Sequence, residues 1–398
     1  MIDLFDKIFK AKECNLKPAI VFLDIKKAFD TVNHVILIKK LKHYGVDGFV
    51  IKWFESYLSN RLQTTKIGII ISDALRINAG VPQGSILGPL LFSIYVNDLS
   101  LTCKQSIAYL FADDSALYFK NVDRKDYSSI KEEMATVCEW FRINKLAVNM
   151  SKSAFIIFDR KAECEDIAIP LETSEVRIQE TKVQKYLGLM IDNLLRFHDH
   201  IHHIKGKIAK RIGAMYRSKN VLPLKYRKMF ANALMLPQFD YLDIIWCRTA
   251  KYQLNSLDVL YKKVAKIALD VDIREPSLNV YSSMKWLPLH LRRQLHLSTY
   301  MYKIINNLGP QQFNSTFSYV SGGSRDAEKC NLYTPKSRSH KSFEFLGAKC
   351  WNSISHNVRT SNSVESLVSE MKRKFMDKVC NNSRYTVNNN FDFFLQIE

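Results

Sequence analysis

The chain has 398 residues, 47% of them hydrophobic and 12% aromatic, with 58 Lys and Arg against 39 Asp and Glu, a formal net charge of +19. That composition excludes wholesale disorder and is enough for two or three packed domains. No run of about 18 apolar residues predicts a membrane span, and the N-terminus lacks signal-peptide form.

In chain order, a partial helix over 1–20 leads to the apolar run Ala19-Ile20-Val21-Phe22-Leu23, a predicted strand that ends on Asp24. A helix is expected from Asp30 through Leu41, with apolar positions at Val32, Val35, Ile36 and Leu41, and a second over 47–59. Phe29 sits at the strand–helix junction. A ring there suits packing in the core, or a place beneath an incoming sugar where a 2′-hydroxyl would clash. Short strands are expected near 63–71 and 74–79. Gly80 to Pro89 then forms a turn-rich segment without the Lys-Ser/Thr ending of a phosphate-binding P-loop. Ser85 would cap the apolar helix 89–99, and Gln83 stands where small neighbours let the backbone approach a base pair.

The most informative stretch is Tyr109-Leu110-Phe111-Ala112-Asp113-Asp114-Ser115-Ala116-Leu117-Tyr118-Phe119. It reads as two short buried strands joined by a turn made of the aspartates. As a dipeptide, Asp-Asp is an ordinary polar turn. Between apolar strands, two like charges call for neutralisation, and a divalent cation is the usual partner. With Asp24 they form an all-oxygen set suited to Mg²⁺, with Mn²⁺ as the alternative, and two such ions handle phosphates. A helix over 124–145 follows. Asn149 and Lys152 then precede a strand at 154–158, where Lys152 is either a surface lysine or a proton donor to pyrophosphate.

Beyond an acidic, irregular stretch (161–180) and Tyr186-Leu187-Gly188, the pattern turns helical near 199–218, 224–236 and 251–269. Charge divides unevenly: residues 1–200 carry 27 basic and 25 acidic side chains, residues 201–398 carry 31 and 14. Between 201 and 228 there are nine basic residues and no acidic one, among them Lys205, Lys207, Lys210, Arg211 and Arg217. Exposed helices normally mix signs, so this run reads as a grip on a phosphate backbone, with His198, His200, His202 and His203 in the same basic face. The eight scattered cysteines have no C-x-x-C pair or zinc-knuckle spacing and read as reduced thiols of an intracellular protein, nuclear or cytoplasmic.

Taken together, Phe22 to His34, Gly80 to Leu91, Phe111-Ala112-Asp113-Asp114, Asn149-Met150-Ser151-Lys152-Ser153 and Tyr186-Leu187-Gly188 resemble the ordered motifs of reverse transcriptases from non-LTR (LINE-type, jockey-like) retrotransposons. Leu236 to Tyr241 and Trp351-Asn352-Ser353 extend the resemblance more loosely. It implies an α+β right-hand polymerase palm, an antiparallel sheet with packed helices, followed by a helical thumb and a small C-terminal helical region. It implies metal-binding Asp24, Asp113 and Asp114, with Asp24 and Asp113 as main ligands, and Lys152 as general acid. Phe29 would be a steric gate, Gln83 and Gly84 nucleotide and template contacts, and Leu187 and Gly188 the primer grip. The implied partners are an RNA template, a DNA primer, the RNA–DNA hybrid and deoxynucleoside triphosphates, with no membrane.

The expected organisation is a palm at 1–195 with the fingers largely missing, a thumb at 196–309, a linker at 310–340, a basic unit at 341–380 and a disordered tail at 381–398. The family's preceding fingers segments find no match in the sequence, which makes the chain resemble an N-terminally truncated copy. Two other classes remain: a catalytically inactive relic that only binds nucleic acid, and a two-metal nuclease, which leaves Phe29 and Gly80–Gly88 without a role.

Overall fold

The computed structural model describes residues 1–160, 164–170, 175–321, 330–336 and 341–381. The expected tail, from 382 on, and parts of the expected linker and acidic stretch lie outside them. The described chain is α+β, as expected, and divides into two compact units. One is residues 15–188. The other joins Met1–Cys14, which carries helix α1 (Ile2–Glu13), to the residues from 189 on.

Unit 15–188 is built on a six-stranded sheet. Its middle strand β1 (Ala19–Asp24) runs antiparallel to β7 (Asp114–Phe119) on one side and to β8 (Ala154–Ile157) on the other. β6 (Ile107–Phe111) lies outside β7; β10 (Glu175–Glu180) and β9 (Ile167–Pro170) continue beyond β8. β1 is an uninterrupted apolar run because both of its faces are covered: Ala19 through Leu23 are all buried. Each fully buried aliphatic or aromatic side chain there contributes about 1.5–3 kcal/mol. Helices α2 (His34–His43), α3 (Gly48–Leu58), α4 (Leu87–Val96), α5 (Leu99–Thr102) and α6 (Ser128–Ile143) accompany the sheet. Leu37, Leu41, Leu91, Phe92, Met134, Val137 and Phe141 join Val21, Leu117 and Phe155 in one core.

Polar ties fix the loops of this unit. Buried Glu133 on α6 accepts from the backbone N–H groups of Lys104 (3.1 Å), Gln105 (3.2 Å) and Ser106 (3.0 Å), anchoring the entry to β6. Arg124, after β7, forks onto Asp159 (2.6 and 3.1 Å) and onto Glu180 (2.9 and 2.5 Å). Burial acts against the charged guanidinium, yet those paired carboxylates hold it protonated well above its ordinary range.

Three local expectations are corrected. The helix expected from Asp30 begins at His34, because the Asn33 side chain accepts from Ile36 N–H (3.1 Å) and caps it there; Ala28–Asp30 is only a 3-10 turn. The aspartates do not form the hairpin turn together. The turn is Ala112-Asp113, while Asp114 already heads β7, paired with Phe111. β6, expected to be buried, is half-exposed.

The second unit is largely helical. A short strand, β12 (Leu189–Asp192), precedes α7 (His198–Ser218). Buried Asp192 orders the turn between them, accepting from Leu194, Arg196 and Phe197 N–H at 3.1, 2.9 and 2.6 Å. There follow α8 (Leu224–Phe230), a π-turn (Ala231–Met235), α9 (Leu236–Asp240), α10 (Asp243–Trp246), α11 (Lys251–Leu269), α12 (Ser277–Met284) and α13 (Leu289–Ile305). Helices Phe343–Asn352, His356–Arg359 and Val364–Asn381 close the described chain. Within the span expected as a linker, Phe313 and Leu332 are buried with Phe343, Trp351 and Phe375. Among the described residues no helix is long and apolar enough to cross a membrane.

Candidate active site

The pairing of β1 with β7 sets Asp24 directly opposite Asp114, so both side chains leave the same face at the strand ends. Asp113 precedes Asp114 in the turn, beside Ala112, whose φ of +50° is unusual for a residue with a Cβ. Asp24 is half-buried, while Asp113 and Asp114 reach solvent. Partial burial, then the charges of Asp113 and Asp24, push the Asp114 carboxyl above its ordinary pKa. Such repulsion at one sheet end, in an all-carboxylate set, fits a hard divalent cation.

Asp24 is held from the far side of β1. Asn149 Nδ2 donates to Asp24 Oδ2 (2.9 Å), Asn149 N–H to Asp24 C=O (2.7 Å), and Asp24 N–H to Ser153 Oγ (3.2 Å). The loop carrying these contacts also presents Lys152, exposed, with its N–H on Asn149 C=O (3.1 Å).

The Gly80–Pro89 segment is bound to the residues after β1. Val81 N–H donates to Phe29 C=O and Gly80 N–H to Val32 C=O, both at 2.8 Å; His34 Nε2 lies 2.7 Å from Gly80 C=O. Gly80 has a φ of +91°, and a Cβ there would stand 2.8 Å from Asp30 O, so no other residue fits unmoved. Ser85 Oγ accepts from Gly88 N–H (2.9 Å) at the start of α4, the capping contact expected of it. Gln83 Nε2 donates to Asp30 Oδ1 (2.8 Å); Gly84 is open, with a φ of +79°. The Phe29 ring is half-buried with its centroid 4.8 Å from that of Phe92.

This clamp borders a cleft of about 690 Å³ lined by Lys27, Asp30, Arg61, Gln63, Gly80 and Gln83 among others. Sequence reasoning missed Lys27, Arg61 and the role of Asn149. Arg61, on strand β2 (Arg61–Gln63), comes from a separate two-stranded arm, with its guanidinium 5.4 Å from the Tyr57 ring. Only the chain path reveals that this cation faces the same cleft as Gln83.

Tyr186 is buried, its ring centroid 5.2 Å from that of Phe22 and its hydroxyl donating to Tyr109 C=O at 3.5 Å. Burial, and next the charge of Asp114, push its phenol far up. Leu187 (φ +45°) and Gly188 (φ +83°) then reverse the chain sharply.

In the other unit, α7 turns Ile201, Ile204, Ile208, Ile212 and Met215 inward, which sends Lys207, Lys210 and Arg217 into solvent; Lys205 and Arg211 are half-exposed. Arg211 also donates to Leu234 C=O. His200 departs from the expected basic face. It is buried with its ring 6.0 Å from Trp246, and burial lowers its pKa to about 4. A second acidic group lies here: ligand atoms of Asp240, Asp243 and His296 fall within 4.8 Å of one another. Both Asp240 oxygens already take the Arg292 fork (2.5 and 2.6 Å), and His296 Nδ1 lies 2.7 Å from Asp243 Oδ2. That is a hydrogen-bonded network joining α9, α10 and α13, with no free carboxylate edge on Asp240 for a cation.

Residues 4–191 match the family described as reverse transcriptase (RNA-dependent DNA polymerase). Among curated proteins, the chain is 29% identical over 262 residues to a probable RNA-directed DNA polymerase from transposon X-element of Drosophila melanogaster, covering 62% of this chain and 28% of the relative. It is 27% identical over 259 residues to the RNA-directed DNA polymerase from mobile element jockey of Drosophila funebris, with the same coverage of 62% and 28%. The chain thus spans less than a third of these relatives' length. Among solved structures, telomerase from Candida tropicalis, in complex with the TWJ fragment of telomeric RNA, is similar at 10% identity and a TM-score of 0.38, covering 71% of this chain and 52% of that one.

Proposed function

From a chain whose residues 4–191 are a reverse transcriptase domain of the kind carried by non-LTR retrotransposons, we propose an RNA-directed DNA polymerase that extends a DNA 3′ end along an RNA template with deoxynucleoside triphosphates. The observation that carries the proposal is the register of Asp24 with Asp114, one residue from Asp113, on the sheet end of a unit that also holds the Gln83 cleft. Asp24, Asp113 and Asp114 would hold Mg²⁺, or Mn²⁺ in its place. When bound, two such ions supply positive charge to the attacking 3′-oxygen and to the leaving pyrophosphate.

The chain's own groups do the rest. Asn149 keeps the Asp24 carboxylate in one orientation. Lys27 and Arg61, which line the cleft with Gln83, offer positive charge to a triphosphate, and Gln83 and Gly84 would contact the nucleotide and template. Phe29, its ring packed against Phe92, would exclude a 2′-hydroxyl from the incoming sugar. The Lys152 ammonium gives a proton to the departing pyrophosphate. Leu187 and Gly188 bear on the primer end, and the basic face of α7 on the hybrid backbone. An enzyme using these substrates works inside the cell.

The test is primer extension on an RNA template by the purified chain, with and without Mg²⁺, beside an Asp113→Asn variant. Extension requires Mg²⁺ and disappears in the variant, while hybrid binding stays within about twofold of wild type. Extension that survives Asp113→Asn would sink the assignment. Cleavage of the template without extension would turn the site into a two-metal nuclease.

A further inference from the structure

The motif Trp351-Asn352-Ser353 and the residues that follow it take no part in the chemistry above, yet they build a cavity. Asn352 forms a two-way bridge with Leu332: its Nδ2 donates to Leu332 C=O and its Oδ1 accepts from Leu332 N–H, both at 2.8 Å. That bridge lays residues 330–333 along the end of helix Phe343–Asn352. Their other edge pairs with 318–320, through Val320 N–H to Asn331 C=O (2.9 Å) and Tyr333 N–H to Ser318 C=O (2.8 Å). Between this small ladder, the end of α13 and helix His356–Arg359 lies a space of about 360 Å³, walled by Asn306, Tyr319, Trp351, His356, Arg359 and Ser361. Its volume is in the range of about 300–1,000 Å³ usual for small-molecule sites.

Among the described residues the cavity holds a buried cation and no counter-charge for it. Arg359 is only 8% exposed, with its guanidinium 5.9 Å from the Trp351 ring. Its Nη1 donates to Cys330 C=O and its Nη2 to Asn331 Oδ1, both at 3.0 Å, so both partners are neutral. Its Nε is buried without a hydrogen-bond partner, and among the described residues no carboxylate pairs with it. Burying a cation without a counter-charge is costly, so the site is suited to an anion from outside. His356 is exposed at the same wall, and Tyr319, 54% exposed as a residue, offers its ring for stacking. A charged fork, a second donor in the His356 imidazole and an open aromatic side chain together match a flat ring carrying a phosphate.

We infer that this cavity holds one nucleotide of a single-stranded nucleic acid, its base on Tyr319 and its phosphate on Arg359 and His356. A strand is the favoured source over a free nucleotide because residues 201–398 carry 31 basic against 14 acidic side chains, a field that concentrates polyanions. The assignment does not depend on polymerase activity.

The test uses the full chain without Mg²⁺ or deoxynucleotides, so that a failure of catalysis cannot imitate a failure of binding. Uridine 5′-monophosphate and inorganic phosphate are titrated by calorimetry, and a single-stranded RNA carrying 4-thiouridine is photo-cross-linked and mapped by mass spectrometry. Tyr319→Ala and His356→Ala change exposed side chains; Arg359→Lys keeps the charge but loses the fork. The expected result is cross-linking within residues 319–361 and displacement of the mononucleotide by the strand. Tyr319→Ala weakens mononucleotide binding about tenfold or more while leaving phosphate binding unchanged, and Arg359→Lys weakens both. Mononucleotide binding that the strand does not displace overturns the strand as source. Binding indifferent to Tyr319→Ala overturns the nucleotide class, and cross-links confined to residues 198–228 overturn the site.

Discussion

Asp24 and Asp114 face each other across two hydrogen-bonded strands, with Asp113 next in the chain, and three like charges at one strand end repel. Asp114 carries the mark of it, a carboxyl held above its ordinary pKa by burial and by its two neighbours. The sign of the linked stability follows. The folded state binds this proton more tightly than the unfolded state, so stability is lost as pH rises from the unfolded pKa through the raised folded one. Above that window the charged Asp114 works against the fold. Asp114→Asn should therefore raise the melting temperature at neutral pH in chelator, modestly because the group is only partly buried, and Mg²⁺ should stabilise the wild type more than the variant. Thermal scans of both proteins with chelator and with Mg²⁺ decide this, and a variant that melts lower in chelator would refute the repulsion. These aspartates were legible in the sequence because charges interrupting apolar runs stand out. The hydrogen bond from Asn149 to Asp24 was not, since it joins residues 125 positions apart and no local pattern records it.

At the scale of elements, the segment from Gly80 works only while it stays fastened to the residues after β1. Gly80 and Gly84 separate two requirements there. Both have positive φ, but a Cβ at Gly80 would meet the Asp30 backbone at 2.8 Å, whereas one at Gly84 would meet nothing within 4 Å. Gly84→Ala should thus cost about 1–2 kcal/mol, the strain of the left-handed backbone alone. Gly80→Ala should cost more and loosen Gln83 and Phe29 with it. Denaturant midpoints rank the pair, and equal losses would mean that the approach to Asp30 carries no weight. The strands and most helices of this region could be read from apolar periodicity, because burial imposes it. Boundaries set by single side chains could not: α2 starts at the Asn33 cap, and the hairpin turns at Ala112-Asp113 because Asp114 is taken up into the ladder opposite Asp24. The cleft was hidden for a different reason. Arg61 reaches it from a two-stranded arm whose strands are only three residues long, too short to leave a period.

For the whole molecule, the uneven distribution of charge was visible in composition, whereas its direction was not. α7 shows how it is resolved: the isoleucines at 201, 204, 208 and 212 point inward, which forces Lys207, Lys210 and Arg217 onto one solvated face, while His200 goes into the core and loses its charge. A polycationic face with no acidic neighbour between residues 201 and 228 suffers a self-repulsion that an ordinary solvated helix avoids by mixing signs. Neutralising it should therefore not destabilise the chain, and if the face grips a nucleic-acid backbone the cost must appear in binding. Replacing Lys207, Lys210 and Arg217 by Gln should leave stability within about 0.5 kcal/mol. It should flatten the dependence of log affinity on log salt for an RNA–DNA hybrid by about 0.9 for each phosphate that the variant no longer neutralises, taking the duplex DNA value. Titrations of the hybrid at several salt concentrations, wild type beside variant, measure that slope. An unchanged slope with intact folding would mean that these three cations never meet a phosphate, and that the excess charge of residues 201–398 grips nucleic acid through other side chains.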